Sequence, residues 1–391
     1  IFLQASTTTK ETEQTTRISN ELQWLMSHGG CRIQCSNWLP ACKNHQASTC
    51  SESKNCLVGT LLVPRCRSPS QQSILACCLH PTILRKPPSC GRRCRPGDSS
   101  SLCDQVSNHG METSMMDSVM TASREFFHLP LEEKKKCSNL IDGKHFQVEG
   151  YGNDQVRTQD QRLDWSDRLH LRVEPEGGRN LAHWPTHPKS FRDDLHEYTL
   201  KCKRIKGDIL RAMAKILELD EDCLVNQFNS NAPTFARFNH FPPCPRPDLV
   251  LGIKPHADFP ALTVLLMDKD VAGLQYLRDG TWYNVPAACD HTLLINIGLT
   301  MEVTISEPPI MTNGIFTGPM HRVVTNADKE RISVAMFYGV DPEQEIGPIA
   351  HLLSEEQPAQ YRKMKANDLL VLHHEHYAGG RGPRIADALK I

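Results

Sequence analysis

The second half of the chain predicts an α+β fold with a double-stranded β-helix, or jelly-roll, core and flanking helices. From Thr234 onward, seven short runs of strand-forming residues follow one another, separated by turn residues. A long amphipathic helix pattern at 189–217 comes directly before them. Asp279-Gly280 lies between two of the runs and is a dipeptide typical of two-residue hairpins. Many short strands at this spacing indicate a sandwich or barrel, and a double-sheet jelly roll fits their number.

The individual elements follow from the spacing of apolar residues. The strand runs are TFARFNHF, LTVLLM, LQYL, WYNV, HTLLINI, HRVVT and RISVAMFYGV. Upstream, METSMMDSVMTASREFFHLP has helical spacing and should end at Pro130, with a second helix starting at Leu131. The long helix has one apolar stripe, formed by Phe191, Leu195, Tyr198, Cys202, Ile205, Ile209, Ala212, Met213 and Ile216. We expect that stripe to lie against the sheet.

Composition limits the kinds of partner. The 391 residues have a formal net charge of -1 and are 39% hydrophobic, which is typical of a soluble globular protein. There is no overall basic excess of the kind that favours nucleic acid, and no apolar run approaches the roughly 20 residues of a membrane helix. We therefore expect small molecules or proteins as partners, neither nucleic acid nor membrane, and a monomeric state.

Residues 1–103 differ from the rest of the chain. They contain 12 Lys and Arg against 5 Asp and Glu, and 11 of the 16 cysteines. This Cys-, Ser- and Arg-rich composition is typical of unstructured segments, and a zinc site or disulfide framework is the lesser alternative, because no cysteine pair has C-x2-C spacing and no paired histidines follow. The remaining five cysteines are scattered, as in a reducing compartment, and the opening residues do not form a secretory signal. We expect a cytoplasmic protein.

A candidate metal site lies in the strand region. His256 and Asp258, in GIKPHADF, stand two residues apart at a strand end, so in extended backbone both face the same side. His321 begins the run HRVVT, 63 residues after Asp258, and is a natural third ligand. Two histidines and one carboxylate leave three adjacent positions open, which suits non-haem Fe(II) and oxygen chemistry. Taken singly, each residue is more often a turn cap, a solvated loop carboxylate or a packed histidine, and that alternative stays open.

A second motif follows the third candidate ligand. Arg331 and Ser333 lie ten and twelve residues beyond His321, on one face of the next strand. A guanidinium beside a hydroxyl is suited to binding a carboxylate through paired hydrogen bonds. An iron site next to such a clamp predicts a 2-oxo diacid as cosubstrate.

Three segments carry a family resemblance. VSNHGMETSMMDSVMTASREFFHLPLEEKKK, ARFNHFPPCPRPDLVLGIKPHADFPALTVLLMDKDVAGLQYLRDGTWYNVP and GPMHRVVTNADKERISVAMF closely resemble the plant 2-oxoglutarate/Fe(II)-dependent dioxygenases of specialised and hormone metabolism. The resemblance runs from about Asp104 to Ile391 and includes the spacings H-x-D and H-x9-R-x-S. It implies an oxidoreductase that uses Fe(II), 2-oxoglutarate and O2, with support from ascorbate, and releases succinate and CO2.

The resemblance also assigns residues. It implies that iron binds His256, Asp258 and His321, and that the distal carboxylate of 2-oxoglutarate binds Arg331 and Ser333. It further implies that Asn239 lies near the cosubstrate and that Phe337 lies in the substrate pocket, with Phe259 beside the candidate ligands as a second pocket residue. Both rings could instead be ordinary core residues, and that alternative stays open. The implied reaction is hydroxylation, desaturation or O-demethylation of a small apolar, aromatic plant metabolite.

The resemblance divides the chain into four parts. The predicted boundaries are 1–103 for the atypical segment, 104–230 for a partial, mainly helical N-terminal dioxygenase region, 231–343 for the jelly roll and 344–391 for a C-terminal helical segment. In the family, the last segment forms a helix that closes over the barrel mouth. The clustered His373, His374 and His376 are therefore expected to be exposed on that helix, with a second metal site as the lesser alternative.

The chain departs from the family pattern at several places. His240 and Phe241 stand where members often have two tyrosines, and Phe241 cannot donate the second tyrosine's hydrogen bond to the cosubstrate. Leu299 replaces a usual Asp, and residues 304–310 resemble an inserted loop. The first strands of the family pattern are absent from the sequence. These departures support an alternative, a catalytically impaired remnant or non-catalytic binding protein of the same fold; a cupin-like metal protein of other chemistry would leave Arg331 and Ser333 unexplained.

Overall fold

The computed structural model describes residues 100–101, 103–142, 144–155, 163–287, 292–301, 316–347, 349 and 363–378. Its helices are α1 Thr113–His128, α2 Leu131–Lys135, α3 Phe191–Ile216 and α4 Ala366–Ala378, with short 3-10 helices at Glu176–Gly178, Leu181–His183 and Val225–Gln227. Its strands are β1 Ser100–Ser101, β2 Cys103–Val106, β3 Leu140–Ile141, β4 His145–Phe146, β5 Gly150–Gly152, β6 Asp167–Glu174, β7 Thr234–Phe241, β8 Leu251–His256, β9 Leu262–Met267, β10 Leu274–Arg278, β11 Thr281–Asn284, β12 Leu293–Ile297, β13 Phe316–Thr317, β14 His321–Val324, β15 Arg331–Tyr338, β16 Glu345–Ile346 and β17 Met364–Lys365.

Two sheets form the core and confirm the predicted jelly roll. The large sheet has seven strands in the order β2-β12-β9-β15-β7-β6-β5, and the small sheet has four in the order β11-β10-β14-β8. Both sheets contribute buried side chains to one apolar cluster. Its buried members are Phe241, Leu265, Met267, Leu274, Val285, Leu294, Val323 and Ala335. Since these side chains come from both sheets, the inner faces pack on each other and enclose the interior of the roll.

Helices α1 and α3 cover the outer face of the large sheet. Both α1 and α3 lie where the apolar spacing predicted them, and α1 ends at His128, two residues before Pro130. The ring of Phe191, at the start of α3, lies 5.1 Å from that of Phe238 on β7. Phe126 of α1 packs on the same Phe191 ring at 6.0 Å. Because successive side chains point to opposite faces of a strand, Phe238 faces the helices, and the inner face of β7 carries Arg237 and Asn239 together with Phe241.

Two local features explain how neighbouring strands connect. The β10–β11 hairpin turns at Asp279 and Gly280, whose φ angles are 49° and 74°. Two consecutive left-handed residues match the twist of the flanking strands, as the sequence predicted.

The edge of the large sheet is formed by β2, which pairs antiparallel with β12 through four residues. CDQV thus provides a strand partner for β12, although the first strands of the family pattern were expected to be missing.

The domain boundaries stay a prediction, and the region predicted to be mainly helical also contains strands β3 to β6, of which β5 and β6 belong to the large sheet. β6 belongs to the stretch 104–230, which was predicted to be mainly helical, yet it pairs with β7 in the large sheet. Leu169, Leu171 and Val173 of β6 are fully buried. The proposed insertion at 304–310 lies outside the described residues. Met301 and Phe316, the described residues on either side of the gap that contains it, are both buried.

Candidate metal and cosubstrate site

Three side chains converge at the mouth of the roll. β8 ends at His256, Asp258 follows in the next loop, and His321 begins β14, where it pairs directly with His256. Asp258 Oδ1 lies 3.7 Å from His256 Nε2 and 3.6 Å from His321 Nε2. One donor atom from each residue lies within 4.8 Å of the others, the spacing of three ligands around one ion. In the described part of the chain, this is the only group of at least three such side chains that could hold a metal.

Backbone carbonyls orient both imidazoles. His256 Nδ1 lies 2.9 Å from the carbonyl oxygen of Lys254, and His321 Nδ1 lies 3.0 Å from that of Pro319. When each Nδ1–H donates to its carbonyl, each Nε2 lone pair is directed toward the shared centre. Burial, followed by the nearby His321, lowers the pKa of His256 to about 3. His256 is therefore a neutral ring at physiological pH, the form that coordinates a metal.

The carboxylate of Asp258 is held through one oxygen. Its Oδ2 accepts hydrogen bonds from Thr263 Oγ1 at 2.8 Å and from Asn296 Nδ2 at 3.2 Å. Thr263 and Asn296 are direct cross-strand partners on β9 and β12, so both reach Asp258 from one face of the large sheet. Burial alone would raise the pKa of Asp258, but the two histidines and these hydrogen bonds lower it below its usual range. Oδ1 thus remains for a cation.

The loop of Asp258 packs against a second loop at close range. Leu299 N donates to the backbone oxygen of Asp258 at 2.7 Å, and Gly298 N donates to that of Ala261 at 3.1 Å. A Cβ at Gly298 would lie 1.7 Å from the backbone oxygen of Pro260 and 2.8 Å from that of Asp258. Glycine is required here because only its absent side chain permits the approach. Leu299 bonds through its backbone, so its departure from the family residue leaves this contact in place.

The predicted cosubstrate clamp lies on the inner face of β7 and β15. Ser333 pairs with Asn239 across these strands, and Asn239 Nδ2 lies 3.5 Å from Ser333 Oγ. Arg331, two residues before Ser333 on the same face, is only 3% exposed, and its buried Nε and Nη1 have no hydrogen-bond partner among the described residues. Burial lowers the pKa of Arg331 to about 10, while Asp268 acts in the opposite direction. Arg331 therefore stays a cation at neutral pH.

Phe241 lies directly beside that guanidinium. Its ring centroid is 5.3 Å from the central carbon of Arg331, and Phe241 is itself buried. A ring face near a desolvated cation stabilises it modestly. Phe241 thus contributes a cation–π contact and an apolar wall at the position where family members often have a tyrosine hydroxyl.

The donor set fits iron, and the clamp fits an organic diacid. Two nitrogen donors and one carboxylate oxygen on one side of a centre match the facial triad of non-haem Fe(II). The unpartnered buried nitrogens of Arg331 fit a carboxylate, because a desolvated guanidinium needs an anionic hydrogen-bond acceptor. The residues present therefore suit Fe(II) and 2-oxoglutarate.

The two predicted pocket aromatics flank this site at different places. Phe259, next to Asp258, is half-buried, and its ring lies 5.1 Å from that of His373 on α4. Phe337 is half-buried on β15 and packs against the inner apolar cluster. His373 thus lies over the candidate site, whereas the side chains of His374 and His376 lie outside the described residues.

Sequence reasoning did not identify the residues that support the triad. Thr263, Asn296 and Gly298 contact Asp258 or its loop, and none was singled out. The available signal was a hydroxyl and an amide inside the otherwise apolar strand runs LTVLLM and LLINI. A polar group in a buried strand needs a partner, and a nearby ligand carboxylate is one.

Comparison with known proteins places the chain in a family. A model described as the 2OG-Fe(II) oxygenase superfamily matches residues 221–340, and one described as the non-haem dioxygenase in morphine synthesis N-terminal matches residues 103–189. Lateral Branching Oxidoreductase 1 of Arabidopsis thaliana is 37% identical over 291 residues, which cover 73% of this chain and 75% of that protein. The chain belongs to the 2OG-Fe(II) oxygenase superfamily.

Further relatives of this oxygenase agree. Codeine O-demethylase of Papaver somniferum is 36% identical over 267 residues, covering 68% of this chain and 71% of that protein. The crystal structure of JOX2 in complex with 2OG, Fe and JA has a TM-score of 0.63 and 33% identity, covering 69% of this chain and 76% of that one. The oxygenase is thus a 2-oxoglutarate-dependent dioxygenase, an oxidoreductase that uses Fe(II), 2-oxoglutarate and O2, with ascorbate as a common supporting reductant. None of its described helices is long and apolar enough to cross a membrane.

Proposed function

We propose that this oxygenase oxidises a small apolar, aromatic plant metabolite by hydroxylation, desaturation or O-demethylation, with Fe(II) bound by His256, Asp258 and His321. Arg331 and Ser333 bind the distal carboxylate of 2-oxoglutarate, and Asn239 lies beside it. The observation that carries the proposal is the convergence of three metal-binding atoms within 4.8 Å, together with a buried, unpartnered guanidinium on β15 of the facing sheet.

Each residue has a separate task in this proposal. The histidines direct their Nε2 atoms toward the shared centre because their Nδ1 atoms lie at hydrogen-bond distance from backbone carbonyls. Asp258 supplies negative charge through Oδ1 while Thr263 and Asn296 hold Oδ2. Arg331 fixes the far end of the cosubstrate, and the surrounding apolar cluster keeps water from the clamp. When bound, iron and 2-oxoglutarate supply the activation of O2 that oxidises the substrate, and the cosubstrate leaves as succinate and CO2.

The substrate class is proposed from the pocket and from the relatives. Phe259 and Phe337 are half-buried aromatic residues on either side of the candidate site, which suits an apolar ring system. One relative is named as a codeine O-demethylase and another as a flavonoid 7-O-demethylase of Ocimum basilicum. Mass spectrometry of the product separates the three reaction types: a gain of oxygen indicates hydroxylation, a loss of hydrogen desaturation, and formaldehyde release O-demethylation. A cytoplasmic, monomeric enzyme remains our prediction.

The test separates cosubstrate binding from turnover. Under anaerobic conditions, Fe(II) and 2-oxoglutarate added to the wild-type protein should produce a visible absorption band, and with oxygen and ascorbate succinate should form. Screening flavonoids, alkaloids, gibberellin precursors and jasmonates for stimulated succinate release then identifies the substrate. His256→Ala should remove the band through loss of iron, and Arg331→Ala through loss of 2-oxoglutarate.

The control is Arg246→Ala, because Arg246 is an exposed arginine paired only with Asp248. It should leave both signals unchanged. Unchanged succinate formation in His256→Ala and Arg331→Ala would contradict the proposed site. No absorption band in the wild type would favour the non-catalytic alternative.

A further inference from the structure

We propose that the substrate of this oxygenase carries a carboxylate, and that Arg237 binds it with Arg168 alongside. The inference rests on the proposed function and narrows its substrate class to an organic acid with an apolar body. It comes from a group of basic side chains on β6, β7 and β8 that the metal and cosubstrate assignments leave unused.

Strand pairing places these arginines on the inner face of the large sheet. Arg168 of β6 pairs with Asn239 of β7, which pairs with Ser333 of β15. Two residues earlier on β7, Arg237 pairs with Ala335 of β15, a buried member of the inner apolar cluster. Residues two apart on a strand share a face, so Arg237 lies on the face of Asn239 and Ser333.

The position suits a substrate contact. Adjacent strands are roughly 4.8 Å apart, so Arg237 lies about two strands, or roughly 10 Å, from Leu265 of β9. Leu265 is two residues from Thr263, which holds the candidate ligand Asp258. Arg237 is therefore far enough from the metal ligands for a small substrate to lie between them.

The guanidinium of Arg237 is only partly used by the protein. Its Nε donates to Asn239 Oδ1 at 2.8 Å, and its Nη2 lies 3.7 Å from Asp154 Oδ2, beyond hydrogen-bond distance. Among the described residues, its two terminal nitrogens have no hydrogen-bond partner. Arg237 keeps about 20% of its side chain exposed, so an incoming group can reach those nitrogens.

The local charge favours an anion. One carboxylate, that of Asp154, serves both Arg237 and Arg168, whose Nε lies 2.8 Å from Asp154 Oδ1. Lys254 Nζ lies 3.6 Å from Asp164 Oδ2, so the charges of these two residues compensate each other. These five side chains line a common cleft and have three positive and two negative charges. A bound carboxylate would balance the remaining positive charge and pair with the terminal nitrogens of Arg237.

Apolar rings lie next to the same arginine. His170, the cross-strand partner of Arg237 on β6, stacks on Phe235 with ring centroids 4.9 Å apart. Phe337 is 6.3 Å from the His170 ring. Burial lowers the pKa of His170 well below its ordinary value, so the ring is neutral and does not add charge to this wall. An acid with an apolar body matches both parts of the surface.

The competing explanation is that Arg237 only positions Asn239 for the cosubstrate. In that case its loss would weaken 2-oxoglutarate binding but would not change the preference for acidic over neutral ligands. The two explanations are separated by matched ligands that differ only in the carboxylate.

The probe is a defined library of aromatic and alicyclic carboxylic acids, including trans-cinnamic and 1-naphthylacetic acid, each paired with its methyl ester. The library is incubated anaerobically with full-length protein, Fe(II) and 2-oxoglutarate, and retained compounds are identified by mass spectrometry after gel filtration. The affinities of retained pairs are measured by titration of the iron absorption band. We expect wild type to bind the retained acids about 10-fold or more tightly than their esters, as for hydrogen bonds to a charged group.

Arg237→Gln should remove that preference by weakening acid binding and leaving ester binding unchanged, whereas Arg237→Lys should keep part of it. Arg322→Gln is the control, because Arg322 neighbours His321 on β14 and so points to the opposite face, over the Trp282 ring. It should keep the full preference. Thermal unfolding of each variant checks the fold, and 2-oxoglutarate affinity is measured separately.

The inference is overturned if acids and esters bind equally, if no acid is retained in preference to its ester, or if the preference survives in folded Arg237→Gln. Failure of the proposed function looks different, because wild-type protein would then form no absorption band with Fe(II) and 2-oxoglutarate. A normal band without acid preference contradicts only the carboxylate subsite.

Discussion

The two halves of the candidate site differ in how the protein treats their charges. At Asp258, one carboxylate oxygen receives two hydrogen bonds, and neighbouring Nε2 atoms lie within 3.7 Å of the other. At Arg331, a guanidinium is equally buried, yet two of its nitrogens have no partner among the described residues. The protein thus holds its candidate metal ligands in place by its own contacts, whereas it offers no hydrogen-bond partner of its own among the described residues to two nitrogens of the clamp.

This difference has a thermodynamic meaning. A buried and satisfied carboxylate contributes to a preorganised ligand set. A buried unpartnered cation instead costs folding free energy that a bound anion would recover. We therefore expect changes on the two sides to act differently: changes beside Asp258 weaken metal binding, whereas changes at Arg331 trade cosubstrate binding against stability.

The largest expected effect comes from Arg331→Met. Losing the charged partner of a buried carboxylate should raise the Kd for 2-oxoglutarate at least about 30-fold, equivalent to roughly 2 kcal/mol or more. Without cosubstrate, the free energy of unfolding should rise by about 1–4 kcal/mol, because a buried cation with two nitrogens that lack hydrogen-bond partners is replaced by an apolar side chain of similar length. Anaerobic titration of the iron absorption band and urea unfolding measure the two quantities.

Weaker 2-oxoglutarate binding together with higher stability in Arg331→Met would indicate that Arg331 lacks partners in the cosubstrate-free protein. Arg322→Met makes the same substitution at a guanidinium that already bonds Gln275 and covers the Trp282 ring. It should leave 2-oxoglutarate affinity unchanged and should not stabilise the protein. A loss of stability in Arg331→Met as large as in a core substitution would show that Arg331 is satisfied by the fold itself.

The next effect, a loss of about 1.5 kcal/mol of unfolding free energy, is expected from Gly298→Ala. The added Cβ would meet the backbone oxygens of Pro260 and Asp258, which cannot rotate away as a side chain could. The loop of Asp258 should therefore shift, and iron affinity should fall together with stability. Urea unfolding and a competitive Co(II) titration measure both changes.

Gly177→Ala is the matched control, because a Cβ there meets no atom within 4 Å. It should change neither quantity measurably. If Gly298→Ala kept wild-type stability, the close approach of the two loops would not exist in solution.

The sequence predicted the elements whose signal is local. The apolar stripe of α3 and the period-two runs of the roll needed only spacing, and both lie where predicted. The candidate ligands were found because H-x-D and the motif from His321 to Ser333 place chemically distinctive residues at fixed intervals. Their roles in binding remain a prediction, supported by the convergence of His256, Asp258 and His321.

What sequence reasoning missed depends on which strands become neighbours. β6 was not recognised, because its inner face carries Arg168, His170 and Arg172, and polar alternation in a short run resembles a surface segment. Its outward Leu169 and Leu171 are buried in the core cluster. Only the pairing of β6 with β7 shows that the polar face lines the interior. The support of Asp258 by residues on β9 and β12 is equally non-local.

That non-local support leads to the smallest expected effect. Thr263→Val and Asn296→Ala each remove one hydrogen bond to Asp258 Oδ2, so the carboxylate gains rotational freedom. Each should weaken Co(II) or Fe(II) binding about 10-fold, at the low end for residues that orient a metal ligand, with little change in 2-oxoglutarate affinity once metal is saturating. Competitive metal titration measures this.

The control for these two variants is Ser123→Ala, which removes a buried hydroxyl bonded to the backbone of Val119 inside α1. It should leave metal affinity unchanged. Because Thr263 and Asn296 bond the same oxygen, the double variant should lose less than the product of the single losses. Fully multiplicative losses would mean that the two residues act on the metal site independently, and the shared hold on Oδ2 would be wrong.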